Sequence, residues 1–317
     1  MCYLQNLRQW AMITRCGFSQ RLCRVMVIVV LVGWPLTGYG AVTTSFNSGL
    51  ALDTLEWTIG PTSSFPISEL SFEASSWQST VNLQWADEAS PWFVEGTAGM
   101  GWVFSGEVVD SDFALPNKQG LFSRSVSEVN GHHSLLLEVG SGYRVWTTDR
   151  SVVALTAGFA WTQIRFQIEN GEQTVPPGGA DLSGLNSEYR ARWYGPTVGF
   201  RWMADLKPVP LFLLLEGRYW PVVWYRGKGT WNLRTDFEQT PSFTHKDDNG
   251  YGGDITATLR YPITTQWMVD AGWTGRFLRT SNGTDRTFFS NGTESTIPLL
   301  QVSQDTHWFH LGLRYLW

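Results

Sequence analysis

Beyond residue 40 the chain has no cysteine; all three, Cys2, Cys16 and Cys23, lie near the N-terminus. That excludes a disulfide framework, a thiolate metal site and a thiol nucleophile from the rest of the chain. Charge is also scarce. Only 16% of residues are Asp, Glu, Lys or Arg, and the net charge of −5 offers no basic surface to nucleic acid. After Leu36 no apolar run is long enough to cross a bilayer as a helix. What the chain has instead is aromatic side chains, with 18 Trp, 18 Phe and 10 Tyr, at a slightly negative mean hydropathy. Membrane barrels combine these properties, because only alternate residues meet lipid while aromatics gather at the two interfaces.

The N-terminus reads as an export signal. Arg8, Arg15, Arg21 and Arg24 precede the short apolar run Val25 to Leu36, and Gly38-Tyr39-Gly40 supplies small residues for cleavage. The expected division is a signal peptide over 1–40, removed after Gly40, and a barrel over 41–317. With no cysteine after the cut, no lipid anchor is expected. At the other end Phe309, Leu311, Leu313, Tyr315 and Trp317 alternate with Trp308, His310, Gly312 and Arg314. An apolar-faced strand closing on an aromatic resembles the assembly signal of bacterial outer-membrane barrels, which makes Trp317 the expected contact for the barrel assembly machinery.

Period-two alternation recurs along the chain. Val153, Leu155, Ala157, Phe159 and Trp161 share one face, with Thr156 and Thr162 on the other; Trp267, Val269, Ala271, Trp273 and Phe277 oppose Asp270, Thr274 and Arg276. About ten such runs, joined alternately by short and long connections, predict an all-β, transmembrane, antiparallel up-and-down barrel with short periplasmic turns and long outer loops. The long loops are expected at 110–130, 170–186, 236–249 and 281–304. Inward positions include Glu138, Arg144, Glu216, Arg218, Asp254, Arg260 and Arg314, a mixture of signs that suggests paired charges rather than an ion-selective ring. A barrel of this size is largely filled by side chains, which counts against a porin.

Asp110 and Asp112 sit two residues apart in Ser105-Gly-Glu-Val-Val-Asp-Ser-Asp-Phe113. On an extended chain both carboxylates face one way, and crowding raises the pKa of at least one. Such a pair can hold and polarise a water; it is equally compatible with two solvated aspartates at a loop entrance.

Val109-Asp110-Ser111-Asp112-Phe113 resembles the Val-Asp-x-Asp-Trp motif of the omptins, outer-membrane aspartyl-type proteases of Gram-negative bacteria. Ser68-Glu-Leu-Ser-Phe-Glu73, Asn82-Leu-Gln-Trp85, Leu155-Thr-Ala-Gly-Phe159, Arg192-Trp-Tyr-Gly-Pro-Thr-Val-Gly199 and Tyr261-Pro-Ile-Thr264 fall in the family's order along nearly the whole mature chain. The resemblance implies a ten-stranded barrel with a groove among its outer loops, where a water is activated between an Asp pair and an Asp-x-His pair. Asp110 and Asp112 match the first pair. Gly229 and Trp231 stand where the second is expected, and no Asp-x-His occurs in the chain. His245, with Asp247 two residues on, and His132 and His133 are the replacement bases to consider, whereas His307 and His310 lie nearer the membrane. Trp231 would fill a binding groove or plug the lost site. The resemblance also implies lipopolysaccharide on a basic outer wall, with Arg165 near that position, and no other cofactor or metal. Two functions follow as expectations: a non-proteolytic surface, adhesion or ligand-binding barrel with an extracellular protein or peptide partner, or an endopeptidase with a relocated histidine.

Overall fold

The computed structural model describes residues 40–87, 90–179 and 181–317; the expected export signal, with its arginines and cysteines, lies outside the described residues apart from Gly40. Eleven strands follow one another: β1 Gly40–Ile59, β2 Ser68–Asp87, β3 Trp92–Leu115, β4 Gln119–Asn130, β5 His133–Thr147, β6 Ser151–Val175, β7 Asn186–Asp205, β8 Phe212–Thr230, β9 Phe243–Pro262, β10 Trp267–Phe288 and β11 Glu294–Leu316. Every pairing is antiparallel, and β1 closes on β11 from Thr43↔Leu316 to Ile59↔Leu299.

β4 and β5 are two lengths of one stave. β3 pairs with β5 along Trp92–Trp102 and with β4 along Glu107–Leu115, and β6 pairs with both on the other side. The interruption falls at Gly131, whose φ of 76° lies in the left-handed region that favours glycine. Val103 stitches the break by accepting from Gly131 N at 3.1 Å and donating to His132 O at 2.8 Å. The barrel therefore has ten staves, as the alternation predicts.

On β3 the apolar outer band runs from Trp92 to Phe104, which at about 3.3 Å per residue and a 45° tilt spans roughly 28 Å. Beyond it the staves continue upward, and here the sequence-based expectation needs correction. Much of each long "loop" is strand. β3 runs through Asp110 and Asp112 to Leu115, β6 reaches Val175, β9 begins at Phe243, and β10 and β11 leave only 289–293 between them. Asp110 and Asp112 are thus strand residues rather than loop-entrance residues, and His245 is a strand residue rather than a loop histidine.

The alternation inverts at the membrane rim. On β6, Leu155 and Phe159 face out, whereas farther up Ile164, Phe166 and Ile168 face in and are buried. On β1, Leu50 and Leu52 face out, followed by Leu55 and Trp57 facing in. β7 repeats this, with Val198 and Phe200 outside and Tyr189, Ala191 and Trp193 inside. The inward apolar residues of the outer half meet across the barrel. Phe72 of β2 stacks on Phe166 of β6 at 4.7 Å and on Tyr189 of β7 at 5.5 Å; Trp57 of β1 reaches Phe243 of β9 at 5.9 Å; and Trp193 Nε1 donates to Gln304 Oε1 of β11 at 2.7 Å. Together they form a plug.

Below the plug the lumen is polar. Arg201 pairs with Glu95 (2.8 Å) and with Glu216, Arg218 and Arg276 share Glu138 and Asp254, and Arg260 pairs with Asp270 at 2.8 Å. Apart from Arg201 and Glu95, these are inward positions expected from the sequence, and opposite signs do pair. A cavity of about 580 Å³ remains among them, lined down to the periplasmic turn ends by Thr147, Phe212 and Leu316.

Candidate functional site at the outer end of the barrel

Asp110 and Asp112 follow Val108 on the inner face of β3, at the top of the plug. Asp110 lies beside Leu70 on one side and Ser125 on the other, and its Oδ1 is sealed from solvent with no hydrogen-bond partner. Burial first, and then the Asp112 carboxylate, push its pKa up to about 7, against the attraction of Arg234. Asp112 lies between Ser68 and Ser123, one on each neighbouring strand. Its pKa is raised by burial, while hydrogen bonds from those two serines and the charge of Arg234 oppose the rise. Arg234 comes from the turn after β8 and is itself paired with Asp236 at 2.8 Å. Both carboxylates are thus raised in pKa chiefly by burial, and crowding of the two-residue pair adds to the rise at Asp110.

His245 is elsewhere. β3 and β9 are five staves apart whichever way the ten-stave ring is followed, so the two residues stand on opposite walls. Between them, Leu70 and Trp57 continue the row from Asp110, and the Trp57 ring meets the His245 ring edge-on at 4.8 Å. His245 is only 1% exposed. Its Nδ1 shares a 2.8 Å hydrogen bond with the Tyr189 hydroxyl, which also bonds the Tyr225 hydroxyl. Its Nε2 is 3.0 Å from Asp285 Oδ1, although the two are not aligned as a hydrogen bond. Burial holds both phenols above their ordinary pKa. Gly227 makes room for this group: a Cβ there would lie 2.6 Å from the Tyr189 hydroxyl and 2.8 Å from that of Tyr225. Asp247, two residues on, is buried, and its Oδ1 accepts from Asn249 N at 2.7 Å.

The other histidines are no nearer. His132 and His133 flank the stave break beside Val103, and His132 bonds Gln167 at 2.7 Å. Seven residues of β3 separate that level from Asp110, about 23 Å along the strand. His307 faces outward against Trp273 and Phe277, and His310 lies in the lower lumen.

The place of the expected Asp-x-His pair is filled. Gly229 pairs with Phe243, whose ring covers it so closely that any Cβ would overlap the ring. Trp231 packs on the same ring at 5.3 Å and against the apolar cluster beneath. Trp231 thus caps the plug instead of lining an open groove.

The family model of the Protochlamydia outer membrane proteins matches residues 45–314, which is the barrel from the first stave to the last. The chain belongs to that family. Among solved structures it is similar to the outer membrane protease OmpT from Escherichia coli, with a TM-score of 0.74 at 12% identity over 89% of this chain and 98% of that one. At that identity the likeness concerns the fold alone, which makes this family member an omptin-like outer-membrane β-barrel. The translocator domain of the autotransporter NalP from Neisseria meningitidis (TM-score 0.39, 13% identity, 94% of this chain and 95% of that one) and OprG from Pseudomonas aeruginosa (0.32, 10%, 88% and 98%) are much more distant. No curated protein matches.

On the outer wall of this omptin-like barrel, above the aromatic rim, cations line up across four staves. Arg165 of β6 is in register with Arg190 of β7, which is in register with Lys228 of β8; Arg192 of β7, Arg226 of β8 and Lys246 of β9 form the next row. Glu188 pairs with Arg165, and Asp248 serves both Arg226 (2.5 Å) and Lys246 (3.2 Å). Six cations thus face two carboxylates. Burial, then Arg192, and also Arg165, hold the Arg190 guanidinium below its ordinary pKa, opposed by Glu188. Tyr194 and Trp224, 5.5 Å apart, lie immediately below. Of this patch the sequence reading singled out only Arg165. The others are visible as outward positions on staves whose inward positions are aromatic, once the inversion of the alternation is noticed.

Proposed function

We propose that this barrel is a non-proteolytic surface protein, a filled outer-membrane platform whose extracellular end engages lipid and protein rather than cleaving peptides. The observation that carries this reading is the separation of Asp110 and Asp112 from His245 by the apolar plug. A hydrolase of the expected type needs its carboxylates and its imidazole on one water, and here Leu70, Trp57 and Phe243 occupy the space between. The cationic patch on β6–β9, over an aromatic rim, suits lipopolysaccharide phosphates, with Arg190 beside Arg165 and Lys246 at the far end of the patch. The loops at 176–185 and 231–242 would meet an extracellular protein or peptide. The segment before the barrel would direct export and be removed, and Trp317, whose Nε1 donates to Thr44 at 3.0 Å, would be read by the assembly machinery. The plug also argues against a porin, and no ohmic conductance is expected in a planar bilayer.

The test is cleavage. Full barrel, refolded with lipopolysaccharide, is incubated with dibasic peptides, and no product above the blank is expected. Product that disappears in Asp110→Ala would overturn the reading and favour the second one, an omptin-type endopeptidase. One observation favours that alternative: a buried imidazole, His245, lies between a phenol, Tyr189, and a carboxylate, Asp285, at the outer end of the barrel.

A further inference from the structure

The lumen below the plug is a blind vestibule, closed toward the outside and reaching the periplasmic turns. Its lining is divided. The arc from β9 through β11 to β1 carries Arg260, Asp270, His310, Arg314 and Ser45, whereas the mouth on β3 and β6–β8 is apolar, with Phe93, Met203, Phe212 and Leu214. Six arginines line it against four carboxylates, with Asp254 and Asp53 buried just behind the lining.

The arginines are not held alike, and Arg144 has only the Ser90 carbonyl, at 3.4 Å. Arg260 takes both oxygens of Asp270, at 2.8 and 3.0 Å. Arg314 is left with a single 3.4 Å contact from Nε to the same carboxylate, so its two terminal nitrogens remain free to grip an anion as a fork. His310, 8% exposed and stacked on the Trp308 ring at 4.2 Å, borders the same space, and its two ring nitrogens lie just beneath the surface without a partner. The Ser45 hydroxyl, also buried on this arc, is unpartnered too. A Cβ at Gly272 would lie 2.7 Å from His310 Cε1, so that glycine makes room for the imidazole, while the space at Gly312 is taken by the Asn47 side chain. Buried polar groups are normally satisfied, and an empty fork, an empty imidazole and a neighbouring apolar wall in one cavity define a complementary ligand.

We infer that this vestibule binds a small amphiphilic monocarboxylate from the periplasmic side. The head is taken by Arg314 and His310, and the short alkyl or aryl body lies along Phe212, Leu214 and Met203. The volume of about 580 Å³ falls within the usual range for small-ligand sites. The plug makes the site terminal, so the ligand leaves by the way it came.

The experiment uses the full barrel in lipid nanodiscs, since detergents are themselves amphiphiles, with empty discs as the blank. The chain has five histidines, so the ¹³C-labelled imidazole signal of His310 can be followed alone. Sodium hexanoate is expected to shift it saturably, hexylamine is not, and Arg314→Gln is expected to weaken hexanoate at least tenfold. Should Arg314→Gln fail to refold, Thr43→Glu, at the mouth, places a repelling carboxylate in the entry path and is expected to have the same effect. Equal response to hexanoate and hexylamine, or an His310 signal that hexanoate leaves unmoved, would overturn the inference and make the vestibule a water-filled lumen only.

Discussion

The two halves of the barrel interior are built on opposite plans from the same staves. Inside the membrane the staves give their apolar side chains to lipid and keep polar ones for the lumen, where Arg201, Arg218, Arg260 and Arg276 find carboxylates. Above the rim water lies outside, so the only place to bury an apolar side chain is within. The lumen there fills with Phe72, Phe166, Tyr189 and Trp193. The difference teaches that the solvent outside a stave decides what its inner face carries, and that a catalytic groove in the outer half must be kept open against this tendency. In this chain it has not been: Phe243 covers Gly229, and Trp231 covers Phe243.

The comparison can be broken most forcefully in the plug. Phe72→Ala removes a ring stacked on Phe166 and Tyr189 and is expected to cost about 3–5 kcal/mol in denaturant unfolding of the refolded barrel. A loss below about 1 kcal/mol would mean that the outer half contributes little to stability. In the lower half Asp254→Ala leaves Arg218 and Arg276 sharing only Glu138, with an expected loss of about 3 kcal/mol by the same measurement. A much smaller loss would mean that water in the vestibule replaces the missing carboxylate.

The third effect is one of pH. The pKa of Asp110 is about 7 in the folded barrel against an ordinary 3.8, so the folded chain keeps a proton that the unfolded chain releases. This contribution is complete below about pH 4 and is lost as pH rises toward 7. The expected decline is on the order of 1–2 kcal/mol, because Asp110 is partly open to solvent, and Asp110→Asn should flatten it. A wild-type slope of the opposite sign would refute the buried, crowded placement of this carboxylate. The smallest effect lies on the outer wall. Lys246→Ala should change stability by no more than about 0.5 kcal/mol yet weaken lipopolysaccharide binding in a salt-dependent way. Unchanged binding would remove this stretch of wall from the lipid contact.

The membrane half was legible because lipid imposes strict alternation, as in Val153 to Trp161 and Phe309 to Trp317. The outer extensions were not. Stretches such as Asp110 to Asn130 carry few outward apolar residues and read as loop when only those are sought. Asp110 and Asp112 could be placed from their spacing, since a strand fixes which face they share. His245 could not: its burial depends on Trp57, Tyr189 and Asp285, which arrive from β1, β7 and β10. Local pattern reports which way a residue points and is silent about what comes to meet it across a barrel.

The plug also bears on the cell that carries this protein. Each open barrel added to an outer membrane is a leak, and a bacterium limits or gates such leaks to keep toxic solutes out. A barrel stoppered by its own side chains adds surface without adding permeability. The copy number of such a barrel is then bounded by crowding and synthesis rather than by the tightness of the envelope.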